Sequence, residues 1–398
     1  MKLLRSVRNI TAGRGVFPFL GVLFVALSTA CEPIFDDLSD CFGGIRLRFV
    51  YEYHMMRGAN AFPGYVDCID VYVFDEEGRY VTCLTETSEA LRDENYRIDL
   101  SLEPGTYEIV AYGGSACDSR RFTLTPDWKE NLAAAEEYFR PHMTVRVADY
   151  DPVTGVSRRQ LHDINDRTGG LFYGGLFPGG DFTVEPLRLT VTEEDLKRRG
   201  YREETVYMMN DVNSIQVVLE ELAYPYQVDW RDYDVRILDD NFVLDHENMI
   251  VPVTVTDEEE NVIFRPVYEP YNGGANMTMG FMDYVERDGA YLEEDEERPV
   301  QVAVYEFSTS RLMTLHMDSA RLVVSERATG KELIDLPLVK YLTALYTQGT
   351  SWIKSSQEFL DRQSDWHLML FLQDGKWNTV NVKIAVNNWV VRLNEAQW

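Results

Sequence analysis

The sequence predicts an all-β chain of two β-sandwich domains in tandem, with short helices in the connections. Three observations predict it: runs in which apolar and polar residues alternate, turn residues that bound those runs, and a charged, glycine-containing stretch near the middle of the 398 residues. Alternation with a period of two marks a half-buried strand, whose successive side chains point to opposite faces. The expected organisation is a signal segment over 1–30, a tether over 31–42, a first sandwich over 43–192, a linker over 193–204 and a second sandwich over 205–398.

The elements follow in order. Ile45 to Tyr53 alternates as a strand, and Ile69–Phe74 meets the turn Asp75-Glu76-Glu77-Gly78 and returns through Tyr80–Leu84 as a hairpin. Tyr96 to Leu102 alternates and stops at Pro104-Gly105, after which Tyr107–Tyr112 forms the next strand. Pro126 to Phe139 suggests a short helix around Leu132-Ala133-Ala134-Ala135, and Val145, Phe182, Val184, Leu187, Leu189 and Val191 mark the last strands of the first domain. Glu193 to Glu204 is the candidate linker. Alternation resumes at Ile215–Leu219, Tyr233–Ile237, Val251–Val255, Val300–Val304 and Arg321–Val324, the last followed by a turn at Ala328-Thr329-Gly330-Lys331. Leu336 to Leu342 has helical apolar spacing, with Pro337 in the first turn. At the carboxyl end Val380, Val382, Ile384 and Val386 share one face, Asn387-Asn388 reverses or bulges the chain, and Trp389, Val391 and Leu393 continue it.

The amino terminus decides the compartment. Lys2, Arg5, Arg8 and Arg14 precede an apolar run from Val16 to Ala30, which is shorter than the roughly twenty residues a spanning helix needs. Ser28-Thr29-Ala30 then leads into Cys31. This resembles a bacterial lipobox, in which the cysteine is lipidated and becomes the first mature residue, with Ser28 where leucine is usual. Ordinary cleavage near Ala30 would instead leave Cys31 as a plain thiol. The acid-rich residues Glu32 to Asp40 read as an extended tether; they also resemble the surface-export signal of Bacteroidetes lipoproteins. With Cys31 assigned to lipid, Cys41, Cys68, Cys83 and Cys117 are an even set in an oxidising compartment, and three pairings are open.

Composition excludes more than it selects. Hydrophobic residues at 45% and charged residues at 26% are an ordinary globular balance, so a packed core is expected. A net charge of −28 repels phosphate backbones, and no basic stripe offsets it, so nucleic acid is excluded as a partner. The histidines at 54, 142, 162, 246, 316 and 367 are scattered, without HExxH. Gly113-Gly114-Ser115-Ala116-Cys117 is not a nucleophile elbow, because its fifth position is cysteine. The acidic runs at 257–260 and 293–297 lack the alternating oxygen ligands of a calcium loop and read as solvated hairpin tips. No catalytic constellation, metal site or cofactor motif is present. Twenty-three tyrosines and seven tryptophans leave room for glycan binding by stacked rings, although most lie within strand alternations where core packing is the default.

Several of these pieces carry a resemblance. Leu102-Glu103-Pro104-Gly105-Thr106-Tyr107 looks like a turn of transthyretin-like sandwiches, in which the tyrosine enters the core. Cys31 with Asp36 to Cys41, Arg46-Leu47-Arg48-Phe49, Val71 to Asp75 with Gly78, and Pro104 to Tyr107 with Ala111 to Gly114 come in one order. Leu171-Phe172-Tyr173-Gly174, Asp335 to Leu338, Gln357 to Arg362 and Asn387 to Arg392 continue it. Together they resemble the lipid-anchored FimB-like subunits of type V fimbriae of Bacteroidales; Asn388 stands where that family often has glycine. The resemblance implies two transthyretin-like sandwiches, no enzymatic activity, and a base subunit at the outer membrane that limits release and length of the fibre. It also implies strand exchange with fimbrial stalk subunits, for which the segment from Thr379 to Leu393 (Val380, Val382, Ile384, Val386, Trp389 and Val391) is the candidate. The alternative is a surface glycan-binding or adhesive lipoprotein, whose Trp and Tyr rings would line a groove away from the edge strands.

Overall fold

A computed structural model describes residues 43–392, apart from 57, 88, 115–121, 126–139, 148–150, 152, 159–160, 162–169, 177–184, 199, 224, 260, 280–284, 288–289, 293–299, 345, 347–351, 374–375 and 387–388. The chain is all-β, in two sandwiches, as expected. In the first, the hydrogen-bonded order is Tyr80–Glu86, Cys68–Asp75, Gly105–Gly114, Leu171–Gly175, Tyr201–Asn210, Gly44–Val50 and Ile98–Leu100. Gly105–Gly114 is the spine. One side pairs with Cys68–Asp75; the other pairs with Leu187–Val191 along its first half and Leu171–Gly174 along its second. Leu187–Val191 shows the expected alternation, with Leu187, Leu189 and Val191 buried and Arg188 and Thr190 exposed. Tyr107 does enter the core, and its hydroxyl donates to the Glu103 carbonyl at 2.9 Å, tying the Pro-Gly turn to the strand it starts. Gly174 packs so closely that an added Cβ would lie 2.6 Å from the Met208 sulfur and 2.9 Å from Ala111 Cβ, which accounts for a glycine inside a buried strand.

The second sandwich has a six-stranded sheet, in the order Ala275–Met279, Val300–Ser310, Val212–Glu221, Asp365–Gln373, Lys376–Val386 and Trp389–Arg392. Its five-stranded sheet runs Glu332–Pro337, Arg321–Glu326, Tyr233–Leu238, Val267–Tyr268 and Val156–Ser157. Ile215, Val217, Tyr305, Phe307 and Leu368 from one sheet, with Val235, Ile237, Leu322 and Val324 from the other, belong to one buried core that continues into the first sandwich. The helical spacing after Leu336 becomes the helix Leu338–Thr343, with Pro337 as its N-cap.

Three expectations need correction. Residues 193–204 are not a linker. Thr192 caps the helix Glu193–Lys197, its hydroxyl accepting from the Asp195 amide at 3.2 Å while Asp195 accepts from the Thr192 amide at 2.9 Å. Tyr201–Asn210 then pairs in parallel with Gly44–Val50 inside the first sheet. The charges of this stretch are paired, Arg202 with Asp195 of the helix at 2.7 Å and Glu203 with Arg97 at 2.7 Å. Nor does the first half keep to itself. Thr144–Arg146 pairs with Thr123–Thr125 and with Val243–Asp245, and Val156–Ser157 adds an edge to the second sandwich. Finally, of Val251–Val255 only Val255 is in a strand (Val255–Thr256), because Pro252 has no amide and the Val253 amide bonds the Asp240 carboxylate at 2.7 Å. The helix expected over 126–139 lies outside the described residues.

A buried polar joint holds the halves together. Ser355 caps the helix Ser356–Arg362, accepting from the Glu358 amide at 3.0 Å, and Phe359 and Leu360 fill the core beneath it. Asp361 receives Arg311 in a two-bond fork at 2.8 and 2.9 Å, and Gln357 donates to it as well at 2.8 Å. The third arm of Arg311 donates to the Asn248 carbonyl at 2.8 Å, and the Asn248 side chain donates to Asp211 at 2.9 Å. Asp211 is the residue between the last strand of the first sandwich and the first strand of the second. Beside this, Arg362 donates to the Glu52 and His54 carbonyls of the first sandwich at 3.1 and 3.3 Å, its guanidinium 4.2 Å from the centre of the Tyr53 ring.

Two outcomes follow from the joint. Replacing Asp361 by Ala strands the Arg311 guanidinium in the core and should cost about 3–5 kcal/mol, read by urea denaturation at neutral pH. Burial drives the Asp211 carboxyl up to about 7, against the pull of Arg311 and the Asn248 hydrogen bond. The folded chain therefore keeps a proton that the unfolded chain releases near 3.8, so the stability Asp211 contributes is present below that pH and is lost as pH rises towards 7. Asp211→Asn should flatten the pH–stability curve across that window; a curve unchanged in slope would contradict the assignment.

Candidate functional site

The joint sets the position of the carboxyl-terminal strands. The helix Ser356–Arg362 runs directly into Asp365–Gln373, which pairs in parallel with Val212–Glu221 from Ser214 opposite Asp365 to Glu221 opposite Leu372. Trp366 is buried against Phe359, ring centres 5.7 Å apart, and its indole donates to Asn213 at 3.1 Å. A strand fixed at its start by a buried aromatic and a hydrogen bond cannot slip by one residue without turning its apolar side outward.

On this base the chain lays two more strands. Lys376–Val386 is antiparallel to Asp365–Gln373, with Val380 opposite Leu370 and Val382 opposite Leu368. Trp389–Arg392 folds back on it, Trp389 opposite Val386 and Val391 opposite Ile384. Of the six residues expected to meet a partner, Val380, Val382, Ile384 and Val386 thus belong to an inner strand, whereas Trp389 and Val391 sit on the strand that ends the sheet. The opposite end is Ala275–Met279, with Met277 half exposed. An edge strand presents a row of amides and carbonyls, so either end is a template for an added strand.

The remaining candidates are distributed differently. Cys31, Cys41 and Cys117 lie outside the described residues. Cys68 opens the Cys68–Asp75 strand opposite Gly114. Cys83, half-buried on Tyr80–Glu86, is not disulfide-bonded, so one of the four cysteines considered for bridging drops out. Among the described residues no helix is long and apolar enough to cross a membrane. Gln357 to Arg362 carries part of the family resemblance in the sequence but shows no local sign of its role in the joint. Arg311 follows Ser308-Thr309-Ser310 and Asp361-Arg362 precedes Gln363-Ser364-Asp365, so polar neighbours hide the burial of these charges from the sequence.

The comparisons bear on this architecture. The family model for fimbrillin-A associated anchor proteins Mfa1 and Mfa2 matches residues 38–395. A crystal structure from Bacteroides thetaiotaomicron, described as that of a candidate adhesin, is 34% identical over 90% of this chain and 100% of its own, with a TM-score of 0.66. A second protein of that organism, described as a candidate polysaccharide-binding protein, is 23% identical over 88% of this chain and 98% of its own, with a TM-score of 0.61. The fimbrial anchor protein Mfa2 of Porphyromonas gingivalis shares the fold at 16% identity, over 88% of this chain and 98% of its own, with a TM-score of 0.54. No curated protein matches. The family match from residue 38 to residue 395, with the 34% identical structure, places this chain in the Mfa2 family of fimbrillin-associated anchor proteins, with a fimbria-associated, adhesin-like role at the cell surface.

Proposed function

We propose that this chain is the base subunit of a fimbria, a structural protein rather than an enzyme, held at the outer membrane by lipid on Cys31. Residues 31–42 act as its tether, and the carboxyl-terminal hairpin takes part in strand complementation with the first stalk subunit. Retained at the membrane, it limits release and length of the fibre. The observation that carries the reading is membership of an anchor family over nearly the whole chain. The edge position of Trp389–Arg392 supports it, since backbone groups at a sheet edge are satisfied along their length by an incoming strand. A multiply acylated cysteine supplies the required hold, at about 0.8 kcal/mol per buried methylene.

Labelled palmitate should enter the protein in cells and fail to enter Cys31→Ala, which should appear in the medium together with the fibre. Deleting residues 387–398 should leave the far-ultraviolet circular dichroism spectrum intact and abolish co-purification of the stalk. Unchanged co-purification would remove the hairpin from the proposal, and palmitate labelling of Cys31→Ala would remove the anchor.

We also assign Cys117 as the partner of Cys68. What supports the assignment is that Cys68 faces Gly114, three residues before Cys117, while the Asp67 amide donates to the Gly114 carbonyl at 2.9 Å. Peptide mapping without reductant should recover a 68–117 linked pair; a 41–68 pair would refute the assignment.

A further inference from the structure

A cleft of about 710 Å³, within the range of small-molecule sites, is lined by the strands Tyr233–Leu238 and Arg321–Glu326, by the loop that follows Glu269 and by Tyr305 of the six-stranded sheet. It is built rather than incidental. The loop Pro270–Gly274 is fixed by the Tyr271 amide donating to the Glu306 carbonyl at 2.9 Å and by the Asn272 side chain accepting from the Gly274 amide at 3.1 Å. Gly274 has φ +93°, and an added Cβ would lie 2.8 Å from the Trp230 ring and 2.9 Å from the Tyr305 ring, so only glycine lets the loop settle on both. Trp230 is anchored by its backbone: its amide donates to Asn276 at 3.0 Å, and its carbonyl accepts from the Tyr305 hydroxyl at 2.9 Å.

Charge defines the occupant. Arg236 is paired with Asp234 at 2.8 Å and reaches Glu269 at 3.7 Å, and Arg158 bonds Glu269 from the other side. Arg327 donates to the Tyr233 carbonyl at 3.0 Å and lies 5.7 Å from the centre of the Trp230 ring. With Glu326, the lining holds three guanidiniums against three carboxylates, a neutral island on a chain of net charge −28. A phosphate or polyanion would meet as many carboxylates as arginines. An apolar ligand would cover charged groups and return nothing to them. A ligand rich in hydroxyls, each able to donate and accept, matches fixed planar donors and acceptors set beside an aromatic ring.

We propose that this cleft binds a neutral oligosaccharide, with Arg327 and Trp230 as its principal contacts. Tyr305 belongs to the six-stranded sheet, but three strands of that sheet separate its strand from Trp389–Arg392, so ligand binding and strand addition at the hairpin use separate surfaces and fail separately. The test is isothermal titration of the full chain in detergent with mannohexaose, maltohexaose and xylohexaose, and with tetragalacturonate and inorganic phosphate as anionic controls. At least one neutral hexaose should bind. Arg327→Ala, at an exposed side chain, should weaken it about tenfold or more without moving the melting temperature, and Trp230→Ala should weaken it further. The proposal is overturned if no neutral hexaose binds, if only the anions bind, or if Arg327→Ala binds as tightly as the parent. Should Trp230→Ala fail to fold, the Arg327→Ala result decides alone.

Discussion

A buried guanidinium governs the way the two sandwiches meet. Arg311 and Asp361 are both almost entirely inside the protein, and the cost of taking two charges out of water is offset only when every donor and acceptor finds a partner. Here each nitrogen of Arg311 has a partner, two forking to Asp361 and the third reaching the Asn248 carbonyl, while Gln357 adds a further donor to the Asp361 carboxylate. Burial works against the charge on Arg311, but Asp361 and Asp211 hold its pKa above the ordinary value. Such a network tolerates one geometry. It fixes the helix Ser356–Arg362, and through that helix the strand on which the carboxyl-terminal hairpin is laid.

The same joint explains why the halves are not beads on a string. Val147 donates to the Phe242 carbonyl at 2.9 Å, and the Tyr173 hydroxyl to the His246 carbonyl at 2.8 Å, so short segments of each half complete the hydrogen bonding of the other. A continuous apolar core runs beneath them. Cutting the chain between Asn210 and Val212 would therefore expose unsatisfied backbone on both pieces.

Much of this was legible in the sequence because burial on one face imposes alternation. Leu187–Val191 follows the pattern directly, Tyr107 follows from its turn, and the Cys68–Glu86 hairpin follows from the turn residues between its strands, although Cys68–Phe74 is buried on both faces. What escaped was long-range. Nothing local in Gly44–Val50 says that its neighbour is Tyr201–Asn210, and a two-residue strand such as Val156–Ser157 has no period to detect. The acids and bases of 193–204 read as a linker because sequence reveals charge but not the distance between charges. The cleft beside Trp230 was equally hidden, since its lining comes from segments far apart in the chain. The carboxyl-terminal strands were visible as alternation, yet only the sheet order separates the edge residues Trp389 and Val391 from the inner ones.

The parallel pairing of Gly44–Val50 with Tyr201–Asn210 has a mechanical meaning. The chain enters this pair at Gly44, on the side of the amino-terminal segment, and leaves it at Asn210, towards the second sandwich. Because the strands run the same way, tension between those two ends is directed along the ladder and strains its rungs together, whereas an antiparallel hairpin pulled at its open end would peel one rung at a time. A chain loaded between those two ends is thereby braced against shear.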